Sequence, residues 1–256
     1  MKLITWNVNG IRARHAQLQE LIAVEAPDVV CLQEIKAAPE QVPDLLGSAA
    51  DHWSYWHGHG GYSGVALIVR HSLVTERPAF VHPSFDMEHR IVVGDLGSAL
   101  IACVYVPNGG KDYDAKIRFF TALVDWAGET VASGRDVIIC GDLNIAREER
   151  DVHPKERKLN QIGTRPEERA LMARLIDTGL KDVGRALDPD NNDLFTWWAP
   201  WRNLRQRNVG WRIDYVLATE RVAARAVTSV VRREFGTSDH GPVVVQFGSS
   251  LAGEIP

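Results

Sequence analysis

The chain contains no run of about 18 consecutive apolar residues, the minimum for a helix that crosses a bilayer. No membrane partner is therefore expected. Its N-terminus enters a strand-like segment at once, without a signal-peptide pattern, so we expect a cytoplasmic protein with no long N-terminal extension. Cysteine is scarce: Cys31, Cys103 and Cys140 are the only ones, each inside a Val/Ile/Ala-rich run of the kind that buries inert thiols. A disulfide framework is excluded. Basic charge is not in excess either, since 29 Lys and Arg face 33 Asp and Glu for a net charge of -4. That rules out a globally basic nucleic-acid coat and leaves room only for a local basic face. With 256 residues, 45% hydrophobic and 24% charged, the chain has the composition of a globular protein with one large core or two modest ones.

What is present is a series of apolar runs that end in carboxylates or amides. Residues 136–144 (DVIICGDLN) read as a buried strand whose carboxyl end delivers Asp142 and Asn144 to one side, because alternate side chains share a face. A carboxylate beside a neutral amide suits a phosphate: one activates water or holds a cation, and the other donates a hydrogen bond without adding repulsive charge. Taken alone, the stretch reads as a strand ending in an Asx turn, so its meaning depends on what converges on it. Leu3–Gly10 (LITWNVNG) repeats the pattern with Asn7 and Asn9. A helix over Arg12–Val24 follows, broken by Pro27 before a strand over Val29–Glu34. Glu34 by itself is a solvated strand exit. As a third oxygen-bearing group at a strand end it becomes a candidate ligand for a hard cation such as Mg²⁺.

Residues 51–63 concentrate Trp53, Tyr55, Trp56, His57, His59 and Tyr62 ahead of a strand over Gly64–Val69. His57 and His59, among glycines and far in sequence from any cysteine, read as loop decoration and not as a metal pair. A hairpin is predicted from Ile91–Leu96 and Ala99–Val106, ending at Tyr105, either a core aromatic or a functional phenol. Gly109 and Gly110 lead through Lys111 into a helix with Ile117, Phe120, Val124, Ala127 and Val131 at helical spacing, which covers a sheet. Lys111 is solvated charge or a reach towards a polyanion. Arg147–Lys158 reads as a charged, solvated loop, and Pro166 opens a further helix.

The last third has the most unusual composition, with four Trp and four Arg between Trp197 and Arg212. Such interleaving is hard to hide in a core and suits stacking on bases or sugars together with phosphate neutralisation. Asp214 then sits inside the strand Ile213–Leu217, where a charge requires a partner. Asp239 and His240 stand at the entrance of the closing strand Val243–Phe247, and Asp214 is suited to hold the His240 imidazole in one tautomer.

With these pieces assembled, the chain resembles the exonuclease III / apurinic-apyrimidinic endonuclease family from end to end. The blocks that carry the resemblance are Thr5–Gly10 (TWNVNG), Leu32–Lys36 (LQEIK), Gly61–Ala66 (GYSGVA), Tyr105–Asn108 (YVPN), Gly141–Asn144 (GDLN), Asn208–Tyr215 (NVGWRIDY) and Ser238–His240 (SDH). Each is short, but their order over nearly the full length is specific. The broader endonuclease/exonuclease/phosphatase superfamily shares the Asn, Glu, Asp-x-Asn and Asp-His elements. The Trp-Arg-Ile-Asp-Tyr block favours the DNA-repair branch.

The resemblance implies one domain over residues 1–256 with a DNase I-like α/β fold: a four-layer sandwich of two packed mixed sheets flanked by helices, with the site at the strand ends. It implies a Mg²⁺-dependent nuclease, with Mn²⁺ as the alternative cofactor, acting as a monomer on duplex DNA that carries abasic sites or blocked 3′ ends. Glu34 would be the principal metal ligand, supported by Asn7 and Asp239, with Asp142, Asn144 and His240 also in the metal-binding set. Asp142 would activate water, Tyr105, Asn144 and His240 would stabilise the phosphorane, and Asp214 would orient His240. Trp197, Trp211 and Ile213 would wall the pocket for an extrahelical abasic sugar, and Lys111, Asn160, Trp201 and Arg212 would contact DNA. The chain departs from the family at Asn9, where some relatives carry Asp, at Gly60, which replaces a Lys, and at Lys111, which replaces an Arg of one branch. Two rival readings are a phosphatase or sphingomyelinase-like hydrolase, opposed by the Arg/Trp run, and a silent damage-binding module, opposed by the full set of polar groups.

Overall fold

The structure is a computed structural model that describes residues 1–42 and 51–248. The central strands are apolar on both faces, and the alternation sorts those faces into separate layers. In β8 (Val137–Asp142), Val137 and Ile139 pack against Phe119, Phe120 and Leu123 of helix α2 (Tyr113–Ala132) and against Leu171, Met172 and Leu175 of α3 (Pro166–Asp177). Its other face, Ile138 and Cys140, meets Cys31 of β2 (Val29–Gln33) and Leu67 of β4 (Tyr62–Arg70) across the joint between two sheets. β1 (Lys2–Asn7) divides the same way: Leu3 faces that joint, while Ile4 and Trp6 pack on Ile11, Leu18 and Leu21 of α1 (Ile11–Glu25). The result is helix, sheet, sheet, helix, as expected for strands buried on both faces.

The first sheet has the order β11-β12-β1-β2-β4-β3, where β3 is His52–His59, β11 Ala226–Val231 and β12 Val243–Phe247. The second has the order β5-β6-β7-β8-β10-β9, with β5 Ala79–Val81, β6 Ile91–Asp95, β7 Leu100–Tyr105, β9 Leu180–Asp182 and β10 Asp214–Thr219. Short helices α4 (Val183–Leu187) and α5 (Glu220–Ala223) flank β10. Register positions the site. Parallel pairing of β1 with β2 sets Asn7 beside Gln33, and parallel pairing of β7 with β8 sets Tyr105 beside Asp142. β10 runs antiparallel to β8, so its first residue, Asp214, lies opposite Asp142 at the same end. Gly141 permits this approach: a Cβ there would stand 1.9 Å from the Val104 carbonyl oxygen, at a φ of 139°. α2 starts where Asp112 accepts a hydrogen bond from the Ala115 amide at 2.8 Å, a cap worth about 1 kcal/mol.

Several expectations are corrected. Residues 52–59 form edge strand β3, not a loop; its half-exposed aromatic and histidine residues lack the apolar run of a buried strand. Arg147–Lys158 is not merely solvated, since Asp151 is buried and accepts from Arg185 at 2.8 Å and from Arg212 Nε at 2.9 Å. Arg212 is itself 4% exposed and also pairs with Asp182, so it reaches no DNA. Much of the Trp/Arg run is likewise internal: Trp198 is buried, and the Arg205 guanidinium is wrapped by the carbonyls of Arg233, Phe235 and Ser238. Their charges and rings hold loops together. All three cysteines are free and buried, as read from their apolar surroundings. No helix among the described residues is long and apolar enough to cross a membrane.

Candidate active site

Asp142 closes β8 with an Asx turn. Its Oδ1 accepts the Asn144 amide at 2.9 Å, with Asn144 in the left-handed region at φ 53°, and its Oδ2 accepts Asn7 Nδ2 at 2.9 Å. Asn144 is tied from behind: its Nδ2 donates to the Val106 carbonyl at 2.9 Å, and its own carbonyl accepts Lys116 Nζ at 2.8 Å. Lys116 is fully buried, 2.5 Å from Glu168, and burial lowers its pKa against the opposing pull of that carboxylate. A lysine in that position is legible after the fact, four residues before the core residue Phe120 on the inward face of α2.

His240 is oriented by Asp214, whose Oδ2 lies 2.8 Å from Nδ1, which leaves Nε2 facing Asp142 Oδ2 at 3.8 Å. Burial raises the Asp142 carboxyl to about 7, and the neighbouring Asp214 charge adds to that, while the His240 charge opposes it. For His240, burial alone would lower the pKa, but the Asp214 and Asp142 carboxylates outweigh it and bring the ring up to about 10. The imidazole is therefore a cation at neutral pH. Asp214 Oδ1 has no hydrogen-bond partner among the described residues, so the His240 ring at Oδ2 is this carboxylate's partner there. In the metal-free protein, ring-nitrogen NMR shifts of His240 are expected to stay doubly protonated through pH 7 and to titrate near 10. In Asp214→Asn the midpoint should fall; a wild-type ring already neutral at pH 7 would contradict the arrangement.

The other half of the site comes from the first sheet. Glu34 follows β2 at φ 55° and lies 2.8 Å from Lys36 Nζ, which also donates to Asn9 Oδ1 at 2.7 Å. Asn9 Nδ2 donates to Asp239 Oδ1 at 2.9 Å, and Trp197 Nε1 donates to Asp239 Oδ2 at 2.9 Å. Burial would raise the Asp239 carboxyl, but His240 and these two donors hold it below the usual carboxylate range. Tyr105 stays a neutral phenol: burial raises its pKa and the Glu34 and Asp142 charges raise it further. Its ring packs under the Arg90 guanidinium at 4.7 Å.

Glu34, Tyr105, Asp142, Asn144, Asp239 and His240 line one cavity of about 470 Å³ together with Trp197, Trp211 and Ile213. Trp197 and Trp211 meet edge to face at 6.1 Å and form its apolar wall. Asn7 and Asp214 stand behind the wall and hold Asp142 and His240 in place. Lys111 and Asn160 are exposed at the rim, next to the lining residues Gly110 and Gln161. Trp201 is 58% exposed and lies outside the cavity, as does the buried Arg212. The sequence reading missed Asn108 and the Gln161–Gly163 lip, which lie on loops without a strand pattern, and Arg90, which acts through Tyr105.

The open donors are almost all oxygens, from Glu34, Asp239, Asp142 and Asn144, and the one imidazole is engaged by Asp214. That set fits a hard cation, and the Lys36 ammonium between Glu34 and Asn9 already marks a place that attracts positive charge. Glu34 and Asp239 would hold it, with Asn7 nearby.

A family model described as the Endonuclease/Exonuclease/phosphatase family matches residues 4–240. The chain is 31% identical to exodeoxyribonuclease III of Haemophilus influenzae, over 96% of this chain and 100% of that protein. It is 33% identical to Recombination repair protein 1 of Drosophila melanogaster over 96% of this chain, and spans 37% of that longer protein. Its fold is similar to that of the 3′ phosphatase NExo from Neisseria, bound to a product DNA hairpin, at a TM-score of 0.88 and 28% identity, covering 97% and 99% of the two chains. An AP endonuclease from Archaeoglobus fulgidus aligns at a TM-score of 0.87 and 26% identity over 96% and 99%. The chain thus belongs to the endonuclease/exonuclease/phosphatase family, and within it to the hydrolytic nucleases of the exodeoxyribonuclease III and AP endonuclease kind.

Proposed function

We propose that this nuclease is a Mg²⁺-dependent phosphodiesterase that incises duplex DNA on the 5′ side of abasic sites, and that it trims 3′ ends with 3′-to-5′ exonuclease activity. The observation that carries the reading is the single cavity in which a tryptophan wall stands beside Asp142, Asn144, Tyr105 and His240. A baseless deoxyribose fits against Trp197, Trp211 and Ile213, whereas an intact nucleotide must first be unpaired and unstacked, so the lesion enters at lower cost.

The chain's own groups divide the work. Asp142, whose carboxyl titrates near the working pH, accepts a proton from the attacking water as the new P–O bond forms, and the bond to the 3′ oxygen breaks with that oxygen taking a proton from solvent to leave a 3′-hydroxyl. The His240 imidazolium, the Asn144 amide and the Tyr105 hydroxyl donate to the phosphorane oxygens, where a single donor is typically worth about 3 kcal/mol. Asp214 keeps His240 charged and aimed, and Asn7 fixes Asp142. A bound Mg²⁺ supplies charge neutralisation at the phosphate, held by Glu34 with Asp239. Lys111 and Asn160 at the rim, with the exposed Trp201, are positioned to meet the flanking backbone.

A strand-resolved gel with one abasic and one intact duplex tests the activity. Incision 5′ to the lesion is expected in Mg²⁺ and none after chelation, with Mn²⁺ as a substitute. Glu34→Gln should raise the Mg²⁺ needed for half activity by at least the about 10- to 100-fold that even outlying partners of a metal site contribute. Equal cutting of both duplexes, or cutting that survives chelation, would refute the reading. The protein is expected to act as a monomer on DNA in the cytoplasm.

A further inference from the structure

Away from the catalytic cavity, the outer edges of the two sheets meet, and imidazoles collect there. β3 is the last strand of the first sheet and β5 the first of the second, and Tyr55 stacks on Phe80 across them at 5.2 Å. His57, from β3, stacks on His82, which follows β5, with ring centroids 3.7 Å apart. Asp86 Oδ2 lies 2.6 Å from His57 Nε2, and the three side chains each offer a ligand atom within 4.8 Å of the others. His89 adds a further ring 4.6 Å from His57. We propose that His57, His82 and Asp86 form a second metal site, for a transition-metal dication of the Zn²⁺ class, that staples the two sheet edges together.

The chemistry selects the ion. Two imidazoles and one carboxylate suit Zn²⁺ and its neighbours, with water in the fourth position, whereas Mg²⁺ prefers an octahedron of oxygens. His82 is already set for the task. Its Nδ1 faces the Ile91 carbonyl at 3.2 Å, which keeps the proton on that nitrogen and leaves the Nε2 lone pair free, now met by the Tyr55 hydroxyl at 2.8 Å. The cation takes the place of the proton between His57 Nε2 and Asp86 Oδ2, and the His57 ring carries its N–H on Nδ1 instead. Bonds of about 2 Å require those two atoms to open from 2.6 Å to roughly 3.3 Å and one of the stacked His57 and His82 rings to turn, so that both in-plane lone pairs face the ion.

The other oxygen of Asp86 accepts the backbone amides of Arg90 at 2.8 Å and Ile91 at 3.1 Å. None of the catalytic roles assigned above uses these three residues, so the site stands or falls apart from the proposed activity.

The test is equilibrium dialysis of the 256-residue chain, stripped of metal, against micromolar Zn²⁺ in millimolar Mg²⁺. The wild type is expected to retain a single equivalent, and its unfolding temperature to rise by about 2 to 4 °C. His57→Gln and His82→Gln should each lose both effects while DNA cleavage in Mg²⁺ is unchanged, and Glu34→Gln should keep the equivalent. No retained zinc in the wild type would overturn the proposal whatever the variants do. So would zinc that survives both histidine substitutions or disappears with Glu34, which would locate it in the catalytic cavity.

Discussion

Asp142→Asn is expected to lower the single-turnover rate of DNA incision by about 10²- to 10⁴-fold, the span of a positioned general base, while the unfolding temperature stays within a few degrees of the wild type. The rate falls because an amide cannot take the proton of the attacking water. Stability is spared for a separate reason. Burial raises this carboxyl from an ordinary value of about 4 to about 7, so ionising it penalises the folded state progressively as pH rises between those values and fully above them. A neutral group of the same shape avoids that penalty. Against this, the new amide nitrogen must face either Asn7 Nδ2 or the Asn144 amide, both donors, at a cost of about 1 kcal/mol. Rapid-quench incision and a thermal melt on the same preparation decide the matter. Near-normal turnover, or a loss of activity matched by wholesale unfolding, would remove Asp142 from the role given to it.

Arg212→Met is expected to do the reverse, with a loss of about 3 to 5 kcal/mol of stability, equivalent to roughly 6 to 20 °C in the unfolding temperature of a chain this size. Arg212 is buried between Asp151 and Asp182, and among the described residues Arg185 and Arg147 are the cations left to answer two carboxylates if it is removed. Burial pushes the Asp182 carboxyl up, but Arg212 more than reverses this and holds it low, so the pair is stabilising above the ordinary carboxylate range and lost as pH falls below it. A phosphate-contacting arginine would behave differently: its removal would leave the melt unchanged and flatten the salt dependence of DNA binding. A chain that melts normally but binds DNA less steeply with salt would restore Arg212 to the DNA surface.

That contrast marks where the sequence was legible. Asp142, Asn144, Glu34 and Asp214 were readable because each interrupts an apolar run at a strand end, and strand ends at one edge of a sheet converge. Continuous apolar runs likewise pointed to the buried strands, while the layering was implied by the family resemblance and not by the runs themselves. The Trp/Arg stretch misled because composition does not say which way a side chain points. Arg212 and Trp198 face inward and Trp201 outward, and only the Asp151, Asp182 and Asn208 partners settle it. Those partners lie on other segments, and Asp151 sits in a loop whose charges looked uniformly solvated. His57 was passed over for the same reason, since its companions His82 and Asp86 are distant in the chain and β3 lacks a buried strand's pattern.

The groups proposed to act together are shared between the sheets, with Asn7 and Glu34 from one and Tyr105, Asp142 and Asp214 from the other. The Trp6 indole closes on the His240 carbonyl across 234 positions of chain. An incomplete chain therefore lacks the assembled set, which comes together only once both sheets are made and docked.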